Sequence, residues 1–172
     1  MGVSDVGLCA LCPSRREYIQ VRYDQDQIVI FREHGEGEYG INLRDLMSAV
    51  FACAIWGQHW TSTDPFCQIH VQLWIDNQSA VAWNNKRSSR NNTAQLLLRL
   101  LSLMENHFNF FTAAAHIPGA SNIMADAGLR VWQSTDKAAE FANLSFGWTQ
   151  VQVPNAYRKF SPLWEQCCVL GH

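Results

Sequence analysis

The stretch Ile69-His70-Val71-Gln72-Leu73-Trp74-Ile75-Asp76-Asn77-Gln78-Ser79-Ala80-Val81-Ala82-Trp83 decides how this chain is to be read. Ile69, Val71, Leu73 and Ile75 alternate with His70, Gln72 and Trp74, the two-residue period of a half-buried strand, and three of those four apolar positions are β-branched. The strand ends on a carboxylate, Asp76. A helix-like pattern with Ala80, Val81 and Trp83 apolar follows at once. In open α/β sheets ligands bind beyond the carboxyl ends of strands, so an acid at that end is placed for chemistry. The plainer reading is that Asp76 caps the next helix.

Upstream of this stretch, a short first strand ends near Asp5. Gly7 to Cys12 reads as a second strand, Pro13-Ser14 as a turn, and Glu17 to Tyr23 as a third strand in a hairpin with the second. Gln27 to Phe31 reads as an extra strand, and His34 to Gly40, with three glycines, as a loop. A helix is predicted from about Asn42, with Leu43, Leu46, Met47, Val50, Phe51 and Ala54 on one buried stripe. Asn42 is its expected cap, with Asp45 three residues on, close to a capping box. Downstream come a polar, locally basic run from Asn84 to Asn91, a leucine-rich helix from Thr93 to His107, and a strand from Asn109 to Ala115. A loop at His116-Ile117-Pro118-Gly119 leads to a last helix over Asn122 to Trp132. From Ser134 the pattern weakens, so the chain divides into a domain over 1–133 and a tail or linker over 134–172. Three hairpin-connected strands followed by alternating helices and strands imply an α/β fold, a mixed sheet with helices on its faces.

Composition bounds the function. The chain has 172 residues, 48% of them hydrophobic, enough for one domain with a real core. A formal net charge of −2 gives no general support for a nucleic-acid partner. The six cysteines are too scattered for a disulfide scaffold, and Cys9-x-x-Cys12 has no second pair at zinc-ribbon spacing. No signal-peptide pattern and no apolar run of about 18 residues is present, so the expectation is a reduced cytoplasmic or nuclear compartment and no membrane partner.

Four acids stand at informative places: Asp5 at the end of the first strand, Asp45 in the first turn of the first long helix, Asp76 at the end of the later strand, and Asp126 on the last helix. If the strands carrying Asp5 and Asp76 are neighbours, their carboxylates meet at one edge. Clustered carboxylates resist ionising together, and divalent cations relieve that repulsion. Mg²⁺ prefers oxygen ligands, and two such ions roughly 4 Å apart can stabilise the attacking and leaving oxygens of a phosphodiester displacement. Singly, each acid has a structural alternative: Asp45 complements a helix dipole, and Asp126 is a solvated helix residue.

Taken together, Ser4-Asp5, Ile41-Asn42-Leu43-Arg44-Asp45-Leu46, Trp74 through Trp83, and His116-Ile117-Pro118-Gly119 through Asn122-Ile123-Met124-Ala125-Asp126 to Arg130 resemble the ribonuclease H domain that follows reverse transcriptase in retroelements, most closely the DIRS-like, tyrosine-recombinase type. The resemblance implies a five-stranded mixed sheet flanked by helices. It implies Mg²⁺-dependent hydrolysis of the RNA strand of an RNA–DNA hybrid, with two ions that Mn²⁺ can replace, beside a reverse transcriptase domain upstream in the same polyprotein. Carried over by position, Asp5, Asp45, Asp76 and Asp126 are the expected metal ligands, and His116 the expected aid to proton transfer or product release. Asn77, Gln78 and Ser79 are the expected contacts to a minor groove, where 2′-hydroxyls mark RNA, and Lys86, Arg87 and Arg90 the contacts to phosphates. Two departures stand out. Asp45 takes the place of a glutamate and is one methylene shorter, and Val6-Gly7 is unusual after Asp5. With the short first strand, they point to a partial or decayed copy. The alternative function is therefore a catalytically impaired nucleic-acid-binding or connection domain of the same fold, and a third reading is a nuclease of this fold acting on DNA.

Overall fold

The computed structural model describes residues 1–33, 40–64 and 66–158. Strands β1 (Gly2–Val3), β2 (Gly7–Cys12) and β3 (Glu17–Arg22) form an antiparallel meander. Helices α1 (Gln25–Glu33) and α2 (Ile41–Trp56) follow, then β4 (Ile69–Ile75), α3 (Gln78–Lys86), α4 (Asn92–Phe108), β5 (Phe110–His116), α5 (Ile123–Arg130), α6 (Thr135–Leu144) and β6 (Thr149–Gln150). The architecture is mixed α/β. A four-stranded mixed sheet has the order β1-β2-β3-β6, with β6 parallel to β3, and a parallel ribbon joins β4 to β5.

The expectation of one five-stranded sheet is met only in part, because β1 has two residues. Its register with β2 covers Gly2↔Cys9 and Val3↔Leu8, so Ala10, Leu11 and Cys12 pair on their β3 side only. Between the two sheets the Met1 amino group donates to the Trp74 carbonyl at 2.9 Å. Beyond that bond a cleft of about 270 Å³ opens between β2 and β4, lined by Leu11, Cys12, Val71, Leu73 and Trp74 among others.

Helix α2 joins the two sheets. It packs against β1, β2 and β4 and against α3 and α4. Every residue from Leu43 to Cys53 is buried, so the single stripe expected from the apolar spacing is instead burial on nearly all sides. The opposite face of the four-stranded sheet carries a smaller cluster of Cys9, Ala127, Leu129 and Phe141. Alternation along β2 sends Cys9 to this cluster and Cys12 to the main core, so the C-x-x-C thiols point to opposite faces. Gly128 permits the close approach of α5: a Cβ there would stand 2.6 Å from Cys9 Sγ and 2.8 Å from a Phe141 ring carbon.

Two local expectations are corrected. Residues 27–31 are helical rather than a strand, because Asp24 and Gln27 form a capping box. The Gln27 N–H donates to Asp24 Oδ1 at 2.8 Å, and the Asp24 N–H donates to Gln27 Oε1 at 3.0 Å. Helix α2 has Gly40 at its N-cap, while Asn42 Oδ1 accepts from Asn77 Nδ2 at 2.8 Å. Of the expected glycine loop, residues 34–39 lie outside the described residues.

The segment read as a tail folds back onto the four-stranded sheet through residue 158. Helix α6 packs on α5, Phe141 is buried edge-on to Tyr18 with ring centroids 5.0 Å apart, and β6 extends the sheet beside β3. Phe141→Ala is therefore expected to cost about 3–5 kcal/mol in urea unfolding. A detached linker would give no change.

Candidate functional site

The ends of β4 and β5 lie side by side. Their register pairs Ile75 with His116, and the Ile117 N–H donates to the Ile75 carbonyl at 3.0 Å. Asp76 thus leaves β4 beside His116, which is exposed. Asp76 is not a cap. Asn77 is the N-cap of α3, its Oδ1 accepting from the Ala80 N–H at 3.0 Å while its Nδ2 holds Asn42. Capping therefore falls to Asn77 and leaves the Asp76 carboxylate out of the helix cap.

Asp45 comes to Asp76 from α2. It is 2% exposed, and its Oδ1 has no hydrogen-bond partner among the described residues. Burial first, then the Asp76 charge and a hydrogen bond shared with Asp76, push the Asp45 carboxyl up to about 8. A buried carboxylate facing another resists ionising.

Asp5 and Asp126 are placed elsewhere. The Ser4 N–H donates to the Gly7 carbonyl at 2.8 Å, and Ser4 Oγ accepts from the Val6 and Gly7 N–H groups at 3.3 Å, so Ser4 to Gly7 is a tight hairpin loop. Asp5 lies in that loop with its side chain 88% exposed, paired with Arg44 at 3.2 Å. It does not end the strand at the site, because the turn begins one residue before it. Gly2, three residues earlier, is the β1 residue that faces Asp76. Asp126, on α5, pairs with Arg130 at 2.7 Å and Lys137 at 3.4 Å. Among the described residues no three acidic, histidine or cysteine side chains converge. Two of the four expected ligands meet, and that set does not provide for two ions.

The nucleic-acid candidates divide in the same way. A groove of about 590 Å³ is lined by Asn42, Ser79, Trp83, Lys86, Arg90 and Asn91, among others, along α3 and the loop after it. Lys86 and Arg90 are exposed and have no ion-pair partner among the described residues. Gln78 is exposed at the start of α3, and Asn77 is engaged in the fold. Arg87 turns inward. In the left-handed conformation that ends α3, it pairs with Glu105, donates to Thr112 Oγ1 at 2.9 Å, and lies over the Phe111 ring. Glu105 also accepts from the Thr112 N–H at 2.7 Å. Arg87 is thus a structural cation, distinguishable in sequence only by its place just after the helix. Asn42, read in the sequence as a helix cap, and Trp83, read as a core residue in preference to a contact with the hybrid, also line this groove.

Between about pH 4 and pH 8 the folded chain keeps the Asp45 proton that the unfolded chain has released, so stability falls as pH rises through that window and levels off above it. The slope approaches about 1.4 kcal/mol per pH unit, and Asp45→Asn is expected to flatten it in urea titrations at stepped pH. Breaking the buried pair by Arg87→Ala is expected to cost about 3–5 kcal/mol in the same measurement.

No known family, curated protein or solved structure matches the chain.

Proposed function

We propose that this chain is a ribonuclease H-like domain of retroelement origin that engages an RNA–DNA hybrid and whose hydrolytic site is reduced to two carboxylates. The order of elements supports the fold: a three-stranded meander, a core helix, then β4, α3, α4, β5 and α5. The Met1–Trp74 bond lies between the two separate sheets, and the reading takes it as the seam of a proposed strand order β3-β2-β1-β4-β5. One observation carries the functional reading. Asp45 and Asp76 converge at the carboxyl ends of parallel strands, while Asp5 and Asp126 are neutralised by Arg44 and by Arg130 with Lys137. The groove with Ser79, Lys86 and Arg90 runs along α3, the helix that follows Asp76. Its hydroxyl and amide groups suit a 2′-hydroxyl, and its cations suit phosphates. A reverse transcriptase domain in the same polyprotein is the partner this reading implies.

A second reading, an active hydrolase with Mg²⁺ or Mn²⁺, is favoured by the unpartnered Asp45 Oδ1, which a cation would satisfy. Two carboxylates do not build the two-ion site that mechanism needs, so no hydrolytic step is derived from it.

The test is binding and cleavage of a labelled hybrid, with duplex DNA and duplex RNA as comparisons, across a salt series. The hybrid is expected to bind most tightly, with little cleavage in either metal. Lys86→Ala with Arg90→Ala should weaken binding about tenfold and lower the salt slope by about two. Cleavage lost in Asp76→Asn would establish the active hydrolase instead. Equal, weak binding of all three duplexes, unchanged in the double variant, would overturn both readings.

A further inference from the structure

Gly2 is the residue of β1 that looks onto the carboxylate pair. Its register with Cys9 and the neighbouring Met1–Trp74 bond hold β1 beside the end of β4. A Cβ built on Gly2 would stand 3.1 Å from Asp76 Oδ2, 3.4 Å from Asn122 Nδ2 and 2.9 Å from Leu129 Cδ2. The close approaches are to side-chain atoms, and the tightest is the tip of a leucine that can turn aside. Gly2 does not have the left-handed backbone that would exclude a side chain. Nothing in its conformation requires glycine.

An acid at residue 2 would therefore bring a carboxyl beside Asp76, whose own carboxyl meets that of Asp45, a side chain with one buried oxygen that lacks a partner among the described residues. Asn122, whose Nδ2 now donates to the Met1 carbonyl at 2.9 Å, stands beside that position as a hydrogen-bond donor. Two carboxylates hold a hard cation weakly, and a third oxygen ligand of like charge raises both the charge and the rigidity of the site.

We propose that Gly2 occupies the place of a third carboxylate, so that Asp45, Asp76 and an acid at residue 2 together form a divalent-cation site that this chain leaves one ligand short. The inference deepens the functional reading above and rests on its carboxylate pair. It also replaces Asp5: the position that matters lies three residues earlier.

The test is titration of the full chain with Mn²⁺ alone, read by the paramagnetic signal of the free ion. It compares the native chain, Gly2→Asp, Gly2→Asn and Gly2→Asp combined with Asp76→Asn. Gly2→Asp is expected to bind one ion at least about tenfold more tightly than the native chain, Gly2→Asn no more tightly, and the double variant to lose the gain. Equal affinity in Gly2→Asp and Gly2→Asn would overturn the proposal. If Gly2→Asp folds poorly without metal, melting with and without Mn²⁺ decides it. A rise in melting temperature confined to Gly2→Asp supports the site, and no rise overturns it. Hybrid binding is measured separately on the same proteins. A gain in Mn²⁺ affinity without hybrid binding upholds this proposal and sinks the hybrid-binding function, and hybrid binding without that gain does the reverse.

Discussion

The burial of α2 on almost every side is the constraint from which the site follows. Two sheets that share one hydrogen bond between described strands do not wrap a core unaided; both lean on this helix. Its interior residues are therefore apolar from Leu46 to Phe51 apart from Ser48, whose hydroxyl turns back to the Asp45 carbonyl at 2.7 Å. The cost falls near its start. Arg44 and Asp45 are drawn inside with the helix, and each must be answered by something at the sheet edge.

Arg44 is answered at its two terminal nitrogens, while its Nε has no partner among the described residues. Its guanidinium donates to the Ser4 carbonyl at 2.7 Å, pairs with Asp5 and lies over the Phe31 ring, which in turn meets Tyr23 edge-on. This cation ties the β1–β2 hairpin and α1 to the start of α2. Asp45 faces another acid instead. The helix that assembles the fold thus carries, on consecutive residues, one cation paired with an acid and one carboxyl that faces another. The imbalance is tolerated because Asp45 keeps its proton when folded.

Much of this was legible in the sequence. The strand from Ile69 to Ile75 and its terminal Asp76 follow from alternation alone, and the leucine helix over Thr93 to His107 follows from its spacing. Other features needed three dimensions or turn chemistry. The run Ile28-Val29-Ile30-Phe31 has the composition of a strand, and the Asp24–Gln27 box overrides it. Asp5 has the place of a strand end in the sequence, but the Ser4 hydroxyl starts the turn one residue earlier. Lys86, Arg87 and Arg90 read as one basic cluster, yet a left-handed backbone at residue 87 sends the middle cation to Glu105. Residues 135–158 show weak periodicity because α6 buries only Phe141 fully.

The shortness of β1 also bears on the chain's behaviour in concentrated solution. With only Gly2 and Val3 between them, the end of β2 and the flank of β4 turn backbone donors and acceptors toward a cleft whose walls are Leu11, Val71 and Leu73. Such a slot accepts an extended apolar strand in register, and a neighbouring chain can supply one as readily as a ligand can. Any segment that lengthens β1 would cover both of these strand edges as well as complete the sheet.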